Sequence, residues 1–252
     1  KNEEESNPLS KLSTAKAGKI GVEKAKDAIL RGKLGNKNIE VNASGREIRE
    51  LDRVNSVQGN YIQLTIDSEL QKFCYERLKG LSGSVSVINV KNGEFYALAS
   101  SPSYDPNIFS KSISNETWEN LLLDKYKPLI NKSISNQYPP GSTIKPFVAL
   151  AALESGVSHK ETFFCNGKHL IEDTSLDSGY KTFHCWKKEG HGNVDMTKAI
   201  KVSCDVYFYQ IARRIGINKI AEVCKRYGLG EKVFKSLYEE KSGVVPNKQW
   251  KL

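Results

Sequence analysis

Apolar and polar residues alternate along Tyr61-Ile62-Gln63-Leu64-Thr65-Ile66, the two-residue period of a half-buried strand. Asp67 comes next, a residue type suited to capping a helix, and Leu70, Phe73, Cys74 and Leu78 then recur at three and four, which predicts a helix. Two strand-like runs, residues 84–90 and 94–99, flank Lys91-Asn92-Gly93; Asn-Gly between alternating runs predicts a β-hairpin. After Pro102 and Pro106 the pattern turns helical. From Thr143 to about Gly230 most apolar residues keep the three-and-four spacing, as in residues 147–153 and 206–212, so the middle of the chain is predicted to be wholly helical. Residues 1–60 are polar and punctuated by glycine, with one helical stretch over residues 21–30 closed by Gly32. The chain therefore divides into a connecting or pedestal segment, residues 1–60, and an α+β domain, residues 61–252.

Composition narrows the function classes. An apolar content of 38% in 252 residues supports a core. The net charge of +9 comes from 38 basic residues spread among 29 acidic ones, with no basic stripe interleaved with aromatics, so nucleic acid is not the expected partner. An anionic membrane face, an acidic wall polymer or a merely solvated surface would each suit this charge. No stretch approaches the roughly 18 apolar residues that span a bilayer. The chain opens at Lys1-Asn2-Glu3 without Met and stops at Trp250-Lys251-Leu252, which is expected of a piece cut from a longer protein.

The chemistry concentrates at Tyr138-Pro139-Pro140-Gly141-Ser142-Thr143-Ile144-Lys145-Pro146. Turn residues precede a helix whose first turn holds Ser142 and Lys145, three apart and so on one face. A serine hydroxyl is a poor nucleophile until a neighbouring amine takes its proton, and a helix start offers N–H groups where an oxyanion would develop. A capping serine followed by a solvated lysine gives the same letters without any chemistry. Sixty-one residues after Ser142, Ser203-Cys204-Asp205 opens another apolar helix, either as an ordinary cap or as the second polar cluster that serine acyl enzymes of this type place over the nucleophile.

Five cysteines, an odd number, fit poorly with a fully paired disulfide framework. Cys74 and Cys224 fall on apolar helical patterns and read as small buried hydrophobes. Cys165, Cys185, His191 and Cys204, spaced by 20, 6 and 13 residues, would suit structural tetrahedral zinc. A disulfide and a set of unrelated buried thiols remain open beside it. His184 could replace His191, although Gly190 and Gly192 beside His191 permit a tight ligand loop.

Together with residues 41–51, Leu64-Thr65-Ile66-Asp67, residues 99–107 and Gly190-His191-Gly192, these motifs resemble the penicillin-binding transpeptidases, in particular the elongation-type class B members. The resemblance covers nearly the whole chain. It implies a serine penicillin-recognising fold and a peptidoglycan D,D-transpeptidase that cross-links stem peptides ending in D-Ala–D-Ala. The site would lie at the periplasmic face of the bacterial inner membrane. Ser142 would be the acylated nucleophile and the target of β-lactam antibiotics, Lys145 the proton acceptor and Ser203 the relay to the leaving amine. Asp205, where many relatives have Asn, would position substrate and lysine. An elongation-complex glycosyltransferase would be the partner, and relatives can carry zinc in this region. A third motif, Lys-Thr/Ser-Gly on a strand, is also implied. Lys241-Ser242-Gly243 has the letters but lies 38 residues after Ser203, with Pro246 close behind, where a strand needs a ladder donor. It reads as a decoy, and the fold is expected to lack its C-terminal sheet strands here. A β-lactamase, a penicillin-binding sensor or scaffold, and an incompetent truncated fragment are the competing readings; the pedestal segment argues against the first.

Overall fold

Helix α1 (Gly21–Ala25) and helix α2 (Asp27–Leu30) break the expected 21–30 stretch at Lys26. The computed structural model describes residues 17–110, 113–176, 178–234 and 236–251; the first 16 residues of the expected pedestal segment, and Leu252, lie outside them. The chain divides into two units, residues 17–136 with Phe234–Lys241, and Gln137–Val233 with residues 242–251.

In the first unit, strand β1 (Asn36–Val41) pairs antiparallel with strand β2 (Glu47–Val54). The hydrophobic pattern does not reveal this hairpin, because every β2 residue is exposed and neither face alternates. Helix α3 (Ser68–Arg77) starts where expected, with Asp67 accepting from the Leu70 N–H at 2.9 Å. Strand β3 (Gly83–Ile88) pairs antiparallel with strand β4 (Phe95–Ser101) around the Asn92-Gly93 turn, with Gly93 at φ 78°. Cys74 of α3 packs with Ala97 and Ala99 of β4, flanked by Leu70, Leu78, Val85 and Val87.

Residues 61–66 do not form the expected strand. Among the described residues, β4 has β3 as its one strand partner. Its other edge is closed by individual groups. The Thr65 hydroxyl donates to Phe95 O at 2.7 Å, the Asp67 N–H to Tyr96 O at 2.9 Å, and the Gln71 amide both donates to and accepts from Leu98. Two side chains and one backbone N–H thus satisfy backbone groups that a ladder would otherwise claim. Helix α4 (Asn115–Leu123) is capped by Ser114, and helix α5 (Lys132–Ser135) by Asn131.

Among the described residues, the second unit holds four α-helices. Helix α6 (Lys145–Glu154) buries Val148, Ala149, Ala151 and Ala152. The residues between it and the second motif are not wholly helical. They hold strands β5 (Phe163–Cys165), β6 (Lys168–Glu172), β7 (Tyr180–His184) and β8 (Gly192–Val194), with β6–β7 nested inside β5–β8. Two of these strands are only three residues long, too short for a period of two to show against a helical one. Helix α7 (Met196–Lys201) is capped by Asp195. Helix α8 (Asp205–Ile215) buries Val206, Tyr207, Phe208 and Ile211, and helix α9 (Ile217–Arg226) buries Ile220, Ala221, Val223 and Cys224. These faces meet in one core that also takes in Val194, Met196 and Ala199. Cys74 and Cys224 are buried and free, as small hydrophobes.

Loss of a capping carboxylate exposes the α3 start. Asp67→Ala is expected to destabilise the protein by about 1 kcal/mol, read as a lower urea midpoint with unchanged slope.

Candidate active site and cysteine cluster

Pro139, Pro140 and Gly141, the last at φ 57°, turn the chain into a tight 3-10 turn over Gly141–Ile144, which passes directly into α6. In a 3-10 turn, residues three apart eclipse, so Ser142 and Lys145 lie on one side. Ser142 is exposed, whereas Lys145 is only 8% exposed.

A buried ammonium needs acceptors, and all of its partners come from the start of α8. Lys145 Nζ donates to Ser203 O at 2.8 Å, to Ser203 Oγ at 2.9 Å and to Asp205 Oδ1 at 2.6 Å. The Phe208 ring lies 5.7 Å from Nζ, centroid to nitrogen, adding a cation–π contact. Ser203 Oγ in turn donates to Ser142 Oγ at 3.0 Å. The sequence placed Lys145 directly against Ser142. Among the described residues no hydrogen bond joins the two, and the Ser203 hydroxyl stands between them.

Ser203 is therefore not an ordinary cap. Cys204 occupies the N-cap position of α8 without a side-chain capping bond. Ser203 adopts φ 52°, a left-handed conformation that a residue with a Cβ rarely takes. Its side chain and carbonyl both turn toward Lys145 as a result. Asp205 Oδ1 takes Lys145, and Oδ2 accepts the Trp186 backbone N–H at 3.1 Å. Trp186 carries no signal in the sequence pattern, because its contact to Asp205 is made by backbone.

The strand ends collect the four candidate metal ligands. Cys165 ends β5, Cys185 follows β7, His191 precedes β8 and Cys204 caps α8. One ligand atom from each lies within 4.8 Å of all the others. His191 Nδ1 is 3.7 Å from Cys165 Sγ and 3.5 Å from Cys185 Sγ. Tetrahedral zinc with Zn–S near 2.3 Å and Zn–N near 2.05 Å would set S···N edges of about 3.6 Å, so the spacing fits. All three thiols are free and buried. His184, the alternative ligand, is exposed on β7, and the group of mutually close ligand atoms takes in His191.

Backbones approach closely here. A Cβ on Gly167 would meet Lys188 O at 1.8 Å, and one on Gly190 would meet Cys165 O at 2.1 Å; only glycine fits at either position. Burial pushes the Cys165 thiol up, but hydrogen bonds from the Gly167 and His191 backbones and the neighbouring cysteines outweigh it and hold the thiol below its ordinary value. Cys204 is pushed up to about 12, chiefly by burial. Burial, aided by Lys187, lowers the His191 imidazole and favours its neutral form, the form in which a histidine ligates metal.

Lys241-Ser242-Gly243 lies on no strand. The Lys241 N–H donates to Ile134 O, and Ser242 O accepts from the Gln137 side chain. These are loop contacts.

Residues 83–252 match the penicillin binding protein transpeptidase domain, and residues 1–64 the penicillin-binding protein dimerisation domain. The chain is similar to the peptidoglycan D,D-transpeptidase MrdA of Haemophilus influenzae, with 39% identity over 235 residues, 93% of this chain and 35% of that protein. Among solved structures it is similar to the penicillin-binding protein PBP2 of Helicobacter pylori in complex with MreC. That match has a TM-score of 0.81 and 37% identity, covering 94% of this chain and 43% of the other. The PBP2 of Pseudomonas aeruginosa in complex with WCK 5153 matches with a TM-score of 0.76 and 33% identity, covering 93% and 48%. The chain spans about a third of the length of the curated relative and under half of these solved ones.

Removing the Asp205 carboxylate would leave Lys145 charged and buried without a counter-ion. Asp205→Ala is expected to cost about 3 kcal/mol of folding stability, measured by urea unfolding. Asp205→Asn, which keeps an acceptor, is expected to cost clearly less.

Proposed function

This chain belongs to the penicillin-binding protein transpeptidase family, and we propose that it acts as a peptidoglycan D,D-transpeptidase through a Ser142 acyl-enzyme. The name carried by the relatives supports the activity. The hydrogen-bonded row Ser142 Oγ, Ser203 Oγ, Lys145 Nζ, Asp205 Oδ1 is the observation that carries the site assignment. Residues 1–60 would serve as pedestal and residues 61–252 as catalytic domain.

In the resting row the donors point from Lys145 through Ser203 toward Ser142. Attack requires the reverse. Ser142 donates to Ser203, which passes its proton to a Lys145 that has given one up, and the Ser142 oxygen bonds to the carbonyl carbon of the penultimate D-Ala. The bond from that carbon to the terminal D-Ala nitrogen breaks. The proton then returns along the original direction of the row to the leaving amine, so one relay serves as base and then as acid. An amine of a neighbouring stem peptide resolves the ester, releases Ser142 Oγ and completes the cross-link. A β-lactam acylates the same oxygen by ring opening, with no fragment to depart.

Cys165, Cys185, His191 and Cys204 would hold zinc. With all four positions filled by protein, its contribution is structural. It would tie β5, β7 and β8 to the α8 start that presents Ser203 and Asp205. The substrates follow from this activity, stem peptides ending in D-Ala–D-Ala, with an elongation-complex glycosyltransferase and an MreC-like protein as partners. The location would be the periplasmic face of the inner membrane; among the described residues no helix is long and apolar enough to cross a membrane.

The protein as the cell makes it is expected to form a stable adduct with a fluorescent penicillin. Ser142→Ala should abolish that adduct and Lys145→Ala should slow its formation by a factor on the order of a thousand. Retained labelling of Ser142→Ala would rule the mechanism out, and release of D-Ala from a stem peptide separates an enzyme from a penicillin-binding scaffold.

Elemental analysis of reduced protein is expected to find about one zinc per chain, lost in Cys185→Ser and His191→Ala, with a chelator lowering the melting temperature. Zinc-free protein whose melt ignores chelator would remove the metal while leaving Ser142 untouched.

A further inference from the structure

Trp186 is 64% exposed, yet both of its N–H groups are engaged, and on the same turn. The backbone N–H donates to Asp205 Oδ2 at 3.1 Å, and the indole Nε1–H donates to Val202 O at 3.0 Å. Those acceptors bracket Ser203, the residue with the left-handed backbone. Val202 O and Ser203 O are consecutive carbonyls that receive different partners, the indole and Lys145 Nζ respectively. The ring itself makes an edge contact with His191, 5.2 Å between centroids.

We propose that Trp186 is a positioning residue for acylation, its indole N–H fixing the Val202–Asp205 turn so that Ser203 Oγ is held between Lys145 and Ser142. This inference rests on the Ser142 acyl-enzyme reading above.

The physical argument starts from Ser203. A residue with a Cβ in the left-handed region sits above its backbone minimum and keeps that geometry only where neighbours over-determine it. Helix α7 supplies part of the constraint, through Val202 N–H to Lys198 O, Ser203 N–H to Ile200 O and Cys204 N–H to Ala199 O. These bonds hold nitrogens. The Val202–Ser203 peptide plane, which sets φ of Ser203, is held at its N–H end by Ile200 O at 3.2 Å and at its carbonyl end by the indole. Rotation of that plane would swing Ser203 Oγ out of the row in which its two neighbours lie at 2.9 and 3.0 Å, a span with no slack for a hydrogen-bonded relay. Burial does not account for a tryptophan here, because a side chain so exposed contributes little through apolar area. A phenylalanine would cover much of the same surface, and it has no donor.

The test separates the donor from the ring. Trp186→Phe keeps a ring and removes the N–H. Site-specific replacement of Trp186 by benzothienylalanine keeps the bicyclic shape and exchanges only the N–H for sulfur. Each variant is mixed with a chromogenic penicillin in a stopped-flow instrument, which resolves the non-covalent dissociation constant from the acylation rate constant. Both variants are expected to acylate about ten-fold more slowly, with the dissociation constant changed less than two-fold and the melting temperature and metal content those of the wild type. A wild-type acylation rate in both variants would overturn the proposal. So would a slow Phe variant beside a wild-type benzothienylalanine variant, which would assign the effect to ring shape, or slowing that scales with lost folded protein in both. Failure of the parent reading is visible separately, because labelling would then persist in Ser142→Ala whatever Trp186 does.

Discussion

A lysine ammonium on the apolar face of a helix is the constraint around which the second unit is arranged. Lys145 begins α6 one turn before Val148 and Ala149, so the packing that buries those residues also takes the lysine out of water. A charge so placed must find acceptors close by. The α8 start provides them, one carboxylate, one hydroxyl and one carbonyl from Ser203 and Asp205. For these groups to arrive, α8 must lie against α6. Its inward residues Tyr207, Phe208 and Ile211 make that packing in the shared core. Core and site are thus one arrangement: the contacts that exclude water around Lys145 also set its hydrogen bonds to Ser203 and Asp205.

The turn between α7 and α8 concentrates the contacts of the candidate site. Val202 offers a carbonyl to Trp186, Ser203 bridges Lys145 and Ser142, Cys204 joins the cysteine cluster, and Asp205 completes the ion pair. Neighbouring residues can face opposite directions here because Ser203 is left-handed, which reverses the local winding. The cysteine cluster and the relay therefore share a backbone without sharing a side chain. The nested strands fit this scheme, since β5, β7 and β8 bring Cys165, Cys185 and His191 to one point through glycines that let backbones touch.

Local chemistry was legible wherever a single element decided it. The Asp67 cap, the Asn92-Gly93 hairpin and the apolar stripes of α6, α8 and α9 follow from spacing and turn preference, which act within a few residues. The β1–β2 hairpin escaped because its faces are both exposed, so nothing selects an alternating pattern. Residues 61–66 misled for the opposite reason, an alternation with no partner strand to use it. The stretch from Phe163 to Val194 hides its strands because β5 and β8, three residues each, leave no readable period, and their central pair joins residues 29 positions apart.

By itself the sequence determined which side chains could do chemistry: a serine and a lysine three apart at a helix start, a second serine with an acid beside it, and three thiols with an imidazole. These are properties of residue type and short spacing. Tertiary structure alone decided who touches whom. It put Ser203 between Ser142 and Lys145, placed His191 beside the three thiols, and brought the backbone of Trp186 to Asp205. Each of those outcomes depends on a backbone dihedral or a strand face set by packing between segments tens of residues apart, and a linear order of residues does not contain that information.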